Sequence, residues 1–163
     1  MMEYTDQLGR TFQLNATPKR IVSLVPSQTE LLHDLGLEDS IVGITRFCVH
    51  PYHYKSTKTR VGGTKKVKYE KIKALEPDII LCNKEENTKE MVEELEKIAP
   101  VHVSDIFTID DALALIKQYG ELFACRTQAK TICEKITYLR EDFQETIKTA
   151  TPKKVAYFIW RNP

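Results

Sequence analysis

The 163-residue chain reads as an α/β protein. The expected architecture is an open, mostly parallel sheet flanked by helices, with an N-terminal β-hairpin flap and a long C-terminal backbone helix followed by one strand. Three observations predict this. Short apolar runs rich in β-branched residues, such as Ile21 to Val25 and Ile79 to Leu81, read as strands buried on both faces. Amphipathic helical stripes alternate with those runs, as in a parallel sheet with crossover helices. The first run also passes directly into a helix start, leaving free backbone N–H groups at the carboxyl edge of a sheet, where open α/β folds bind ligands.

Each element follows from local pattern. Tyr4 to Leu14 holds two short alternating segments around Gly9, an antiparallel flap. Pro18 ends the flap and Pro26 stops the strand that begins at Ile21. Ser27, three residues before Glu30, fits a capping box for a helix from Gln28 to about Asp34, and Gly36 closes it. Leu31, Leu32 and Leu35 form the apolar face of that helix. Ile41 to Thr45 is a second strand. Arg46 to Lys66 reads as one long irregular segment containing Phe47, His50, Pro51, His53 and Gly62-Gly63; such loops are often functional. Lys68 to Leu75 is a short helix, Asp78 to Cys82 a strand, Thr88 to Ile98 an amphipathic helix and Val101 to Val103 a further strand. Thr108 and Asp111 cap the next helix, lined by Ala112, Leu113, Ile116, Tyr119 and Phe123.

Thr127 is expected to cap a last helix of about 20 residues, or about 30 Å. Its stripe is Ala129, Ile132, Cys133, Ile136, Leu139, Phe143 and Ile147, and Pro152 ends it. Val155 to Trp160 then reads as a near-continuous apolar strand. A strand this apolar needs cover on both faces, and no later sequence provides it, so the chain is expected to be a fragment.

Composition bounds the function. The net charge of +1 gives no global attraction to nucleic acid or to an anionic membrane. No apolar run approaches membrane-spanning length, so direct insertion is not expected. Met1 to Asp6 shows no basic region followed by an apolar stretch, so no secretory signal is read in the chain as given. That leaves a cytoplasmic protein, or a leader outside these residues. The four cysteines have no C-x-x-C spacing; Cys82 and Cys133 read as small core residues. No P-loop, H-E-x-x-H or G-x-S-x-G appears. Ser27 is explained by capping, and no catalysis or cofactor is expected.

Several stretches, in their order and spacing, resemble the metal-chelate and cobalamin substrate-binding proteins of ABC importers, the class with a helical backbone. They are Asp6 to Arg10, Lys19 to Glu30, Val42 to Thr45, Gly62-Gly63, Tyr69 to Ile80 and the long helix after Thr127. The cobalamin branch is similar in the Cys–aromatic–Pro character near Phe47 to Pro51. The resemblance implies a two-lobed clamp joined by one helix. Residues 1–125 would then be the N-terminal ligand-binding lobe, 126–150 the connecting backbone helix, and 151–163 the first strand of a missing or truncated second lobe. It further implies non-catalytic capture of cobalamin or an iron chelate such as a siderophore or haem. The partner would be a membrane permease and the location periplasmic or extracytoplasmic.

The same resemblance places a ligand-facing aromatic at Phe47; a ring packing its own loop is the bland alternative. Cys48 is a candidate ligand contact in the same loop. Gly63, Thr64 and Lys65 lie where backbone can approach a ligand, although a basic surface turn explains Lys65 equally well. Lys84 follows the strand at Asp78 and is a candidate for the cleft rim. Glu70 begins a short helix, where the macrodipole alone favours a carboxylate; the resemblance adds permease docking. Cys48, His50 and His53 offer sulfur and imidazole donors for a metal, short of a fourth ligand. Two other readings stand beside the importer: a Rossmann-like cofactor-binding enzyme domain, and a cytoplasmic metal sensor using Cys48, His50 and His53.

Overall fold

A computed structural model describes residues 1–158. Residues 1–133 form one compact unit and residue 134 onward a second. In the first unit β1 (Met2–Thr5) and β2 (Thr11–Leu14) make the antiparallel flap. Five parallel strands make the main sheet: β3 (Ile21–Ser23), β4 (Ile41–Ile44), β5 (Thr59–Arg60), β6 (Ile79–Asn83) and β7 (Val101–Ser104). Their spatial order is β5-β4-β3-β6-β7. The chain therefore builds outward from β3 on one side, then crosses back to build outward on the other. Such a reversal splays the connecting loops apart beside the central strand and opens a crevice at the carboxyl ends.

Strand parity sorts the core into two layers. Val22, Leu24, Ile80, Cys82, Val101 and Val103 share one cluster with Ile72 of α3 (Tyr69–Ala74) and with Met91, Val92 and Leu95 of α4 (Lys89–Glu96). The alternate strand residues Ile21, Ser23, Ile79, Leu81, His102 and Ser104 are buried as well. Tyr119 of α5 (Ile109–Leu122) meets the His102 ring edge-on, with centroids 5.4 Å apart. Both faces are thus covered, as near-continuous apolar strands require.

The helix ends mostly follow their sequence signals. Thr108 and Asp111 form the expected reciprocal capping box on α5, and Thr88 accepts the Met91 N–H at the start of α4. Helix α1 (Pro26–Asp34) differs: Val25 is its N-cap with no side-chain bond, and Pro26 occupies the first turn. Ser27 therefore does not cap it, because Pro26, with its fixed φ and missing N–H, already suits the first helical position. At the other end Gly36, with φ of 79°, donates to the His33 carbonyl while Leu37 donates to Leu32, a Schellman closure. The segment Arg46 to Lys66 is less irregular than expected, since it holds α2 (Tyr54–Thr57) and the edge strand β5. The last helix, α6, spans Arg126–Ile147, so Thr127 lies inside its first turn rather than at its cap. Ala129 and Cys133 of its stripe are buried, whereas Leu139, Phe143 and Ile147 are exposed. No strand forms over 155–158, and Ile159 and Trp160 lie outside the described residues.

One buried carboxylate ties the flap to the sheet. Asp6 is 3% exposed. Its Oδ1 accepts the N–H groups of Leu8 and Arg10 at 2.9 and 3.0 Å, and its Oδ2 accepts Arg10 Nε at 2.9 Å and the Val103 N–H at 3.1 Å. Val103 belongs to the edge strand β7, so the flap satisfies a backbone donor that the sheet leaves unpaired. Arg10 continues to the Val101 carbonyl and to Glu96.

Asp6→Ala is expected to cost about 3 kcal/mol, because it leaves the Val103 donor unsatisfied and removes one of the two carboxylates paired with Arg10; the midpoint of urea unfolding checks it. His102 supplies a pH test. Burial lowers its pKa from the ordinary 6.5, and its Nδ1 has no hydrogen-bond partner among the described residues. The unfolded chain therefore takes up a proton at higher pH than the folded one. Stability is expected to fall as pH drops below about 6.5, and His102→Phe should flatten that part of the profile.

Candidate functional site

All the loops that carry expected site residues leave the carboxyl ends of the parallel strands. Phe47 follows β4, Gly63 to Lys65 follow β5, and Lys84 follows β6. Two of these loops enclose an open basin of about 630 Å³.

Its first wall is the turn after β4. The Phe47 N–H donates to Thr45 Oγ1 at 3.2 Å, and the Cys48 N–H reaches the Thr45 carbonyl at 3.2 Å. This turn sends the two side chains opposite ways. Cys48 is 1% exposed, with Sγ 3.1 Å from Thr29 Oγ1 and 3.2 Å from Thr45 Oγ1. Phe47 stays 46% exposed and carries the Arg46 guanidinium 4.7 Å above its ring.

The floor is a tight loop after β5. Arg46 donates to the Gly62 carbonyl at 2.8 Å, Gly63 to Lys66 at 2.7 Å and Lys68 to Val61 at 2.7 Å. Gly62 has φ of 132°, and a Cβ there would lie 2.6 Å from the Lys66 carbonyl oxygen. At Gly63 a Cβ would meet the Phe47 ring at 3.2 Å. The two glycines thus let the loop fold flat beneath the aromatic wall. Asn87, 4% exposed, clamps this loop to β6: its Nδ2 donates to the Thr64 carbonyl and its Oδ1 accepts the Asn83 N–H, both at 2.8 Å.

The expected residues separate on this frame. Phe47, Gly63, Thr64 and Lys65 all line the basin. Thr64 is 8% exposed and takes part mainly through its backbone. Cys48 does not face the basin: it is a core thiol, packed inward because sulfur satisfied by two hydroxyls fits the buried turn. Lys84 lies outside it as well. Its Nζ pairs with Asp105 Oδ2 at 2.8 Å, and it lines a second depression of about 500 Å³ with Leu8 and Arg10. Glu70 is exposed on α3 and lines neither depression.

The proposed metal triad does not form. Cys48 is buried, His50 is exposed, and His53 Nε2 bonds Glu38 Oε1 at 2.7 Å. That bond is the largest influence lowering the Glu38 pKa. Among the described residues no group of three or more His, Cys, Asp or Glu is placed to hold a metal ion. Sequence reading also missed residues that the basin uses. Arg46, Arg60, Lys66, Lys68 and Lys71 all line it. The density of basic residues between positions 58 and 73 was the available signal. Asn87 gave none, because its role depends on the contact between two distant loops.

Comparison with known proteins places this geometry. The family model described as periplasmic binding protein matches residues 21–163. An uncharacterized ABC transporter substrate-binding lipoprotein, YvrC of Bacillus subtilis, is 28% identical over 150 residues, covering 88% of this chain and 46% of that protein. A vitamin B12-binding protein of Pectobacterium carotovorum is 30% identical over 104 residues, 63% of this chain and 37% of that one. Among solved structures, the iron uptake ABC transporter substrate-binding protein PiuA of Streptococcus pneumoniae superposes with a TM-score of 0.76 at 26% identity. That superposition covers 94% of this chain and 55% of that one. The chain spans about half the length, or less, of the curated relatives it matches. Neither the enzyme-domain nor the metal-sensor reading finds support here.

Gly62→Ala is expected to destabilise by about 2 kcal/mol or more, from backbone strain plus the clash with the Lys66 carbonyl. Gly36→Ala is the control. Nothing lies within 4 Å of its added Cβ, so only the left-handed backbone penalty of about 1 kcal/mol applies. Paired urea melts of the two variants check the difference.

Proposed function

The chain belongs to the periplasmic binding protein family, and on that premise we propose that it is the ligand-capturing lobe of the substrate-binding component of an ABC importer. Its ligand is cobalamin or an iron chelate, a siderophore complex or haem, held without chemical change and handed to a membrane permease. Residues 1–125 serve as the N-terminal lobe, 126–150 as the connecting backbone helix, and 151–163 as the beginning of a second lobe. The protein works outside the cytoplasmic membrane.

The observation that carries this reading is the basin at the carboxyl edge of the sheet. Its volume suits a ligand of chelate size. Phe47 offers a half-exposed ring to a flat or apolar ligand face, and Gly63 allows close backbone approach. The exposed stripe of Leu139, Phe143 and Ile147 agrees with a helix that continues into further packing. Glu70 stands clear of the basin on α3, so a permease could engage it while the ligand is held.

Absorbance titration with cobalamin, haem and ferric siderophores tests the reading directly; silence with all of them would sink it. Phe47→Ala is expected to weaken the bound ligand about tenfold, the worth of one aromatic contact. Glu70→Arg should leave that titration unchanged yet abolish stimulation of the permease's ATPase in vesicles. Loss of both properties together would reject the division of labour.

A further inference from the structure

The chain carries a net charge of only +1, yet its charges are unevenly placed. Arg46, Arg60, Lys65, Lys66, Lys68 and Lys71 all line the basin beside Phe47, and no Asp or Glu lines it. Among the described residues none of these six cations makes an ion pair. Arg46 lies over the Phe47 ring, while Arg60 and Lys65 reach only backbone carbonyls, those of Lys55 and Glu85. Several cations elsewhere find carboxylates: Arg10 with Asp6 and Glu96, Lys84 with Asp105, Lys97 with Glu94.

Like charges gathered in a concave site repel one another and focus a positive potential into it. A neutral ligand seated there would strip water from these cations and return no counter-charge, which is unfavourable. A ligand with several outward-facing anionic oxygens would replace that water with charge-assisted hydrogen bonds. The volume of the basin, about 630 Å³, exceeds what a simple tetrahedral oxyanion fills.

We propose that the basin selects a multiply anionic metal chelate, one with carboxylate or catecholate oxygens at its periphery, over a neutral macrocycle. This rests on the capture reading above and narrows its ligand class. Phe47 and the Arg46 guanidinium stacked on it form a paired surface, apolar for the ligand's organic face and cationic for its rim. The lysines at 65, 66 and 68, on and beside the floor loop, and Lys71 of α3 supply further charge.

The test is an amide-resolved NMR titration of the whole chain, which detects weak as well as tight binding. The probes are a trianionic gallium(III) complex of a tricatechol ligand, neutral cyanocobalamin, haemin and molybdate. The gallium complex is expected to shift the amides of Phe47 and of residues 62–66, with affinity falling about tenfold or more between about 50 and about 500 mM salt. Lys65→Gln/Lys66→Gln should weaken it about tenfold or more, whereas Lys65→Arg/Lys66→Arg should hold near the parent value. Cyanocobalamin bound as tightly as the gallium complex, molybdate bound as tightly, or affinity indifferent to salt would each overturn the anionic assignment while leaving capture intact. Silence from all four probes would overturn capture and the assignment together.

Discussion

The order of the strands governs where everything else can be. β3 sits at the centre with β4 and β6 on either side, so the chain must reverse direction of growth beside it. Ile21, Val22 and Ser23 are fully buried as a result, and no side chain of β3 is free for a ligand. Function is displaced to the loops beyond the carboxyl ends, where the connections to α1, α2 and α3 diverge. The same constraint explains why the basin lies toward β4 and β5. β5 is only a two-residue edge, and the connections beyond β4 and β5 fold over one another through the Arg46 to Gly62 hydrogen bond.

Such loops would be loose without internal anchors, and here the anchors are polar groups buried at the sheet edge. Thr29 Oγ1 lies 2.8 Å from Ser23 Oγ and 3.1 Å from Cys48 Sγ. One helix hydroxyl thereby joins the end of β3 to the turn after β4. On the far side, Tyr119 donates to Gln28 Oε1 at 2.7 Å, and Gln28 Nε2 bonds Ser104 Oγ. Gln28 and Tyr119 are buried, and each polar atom of this chain is matched, as a low-dielectric interior demands. Asn87 does the same for the glycine loop. The walls of the basin are therefore held from behind, which leaves the side chains in front free for a ligand.

The sequence made the regular elements legible because burial imposes a period. Strands at Ile21, Ile41, Ile79 and Val101, the α5 capping box and the glycine closure of α1 all follow from short-range pattern. Where two local signals competed, the weaker one failed. Ser27 and Glu30 match a capping box, but Pro26 fits the first helical turn by its ring geometry and moves the cap to Val25. The site was legible at the level of loops and not of side chains. Nothing periodic distinguishes Phe47 from Cys48, and their opposite directions depend on a turn made by Thr45 and a hydroxyl from α1. Lys84 and Lys65 look alike in sequence; an aspartate 21 residues further on is what removes Lys84 from the basin.

The charge distribution in the basin has a physical cost that bears on what the site is for. Six cations around one concavity lower the stability of the folded chain through mutual repulsion, modestly, because most are solvated and salt screens them. Core packing could not have produced this arrangement, since the lysines contribute little to the apolar clusters on either face of the sheet. Capping does not require it either: Lys68, at the start of α3, makes no side-chain cap bond. A local arrangement that weakens the fold and serves no packing role is best understood through what it does when occupied. The two core layers and the Asp6 clamp hold the fold without these cations, although Val67 of one layer also lines the basin. They allow the carboxyl edge to keep an uncompensated positive face in water.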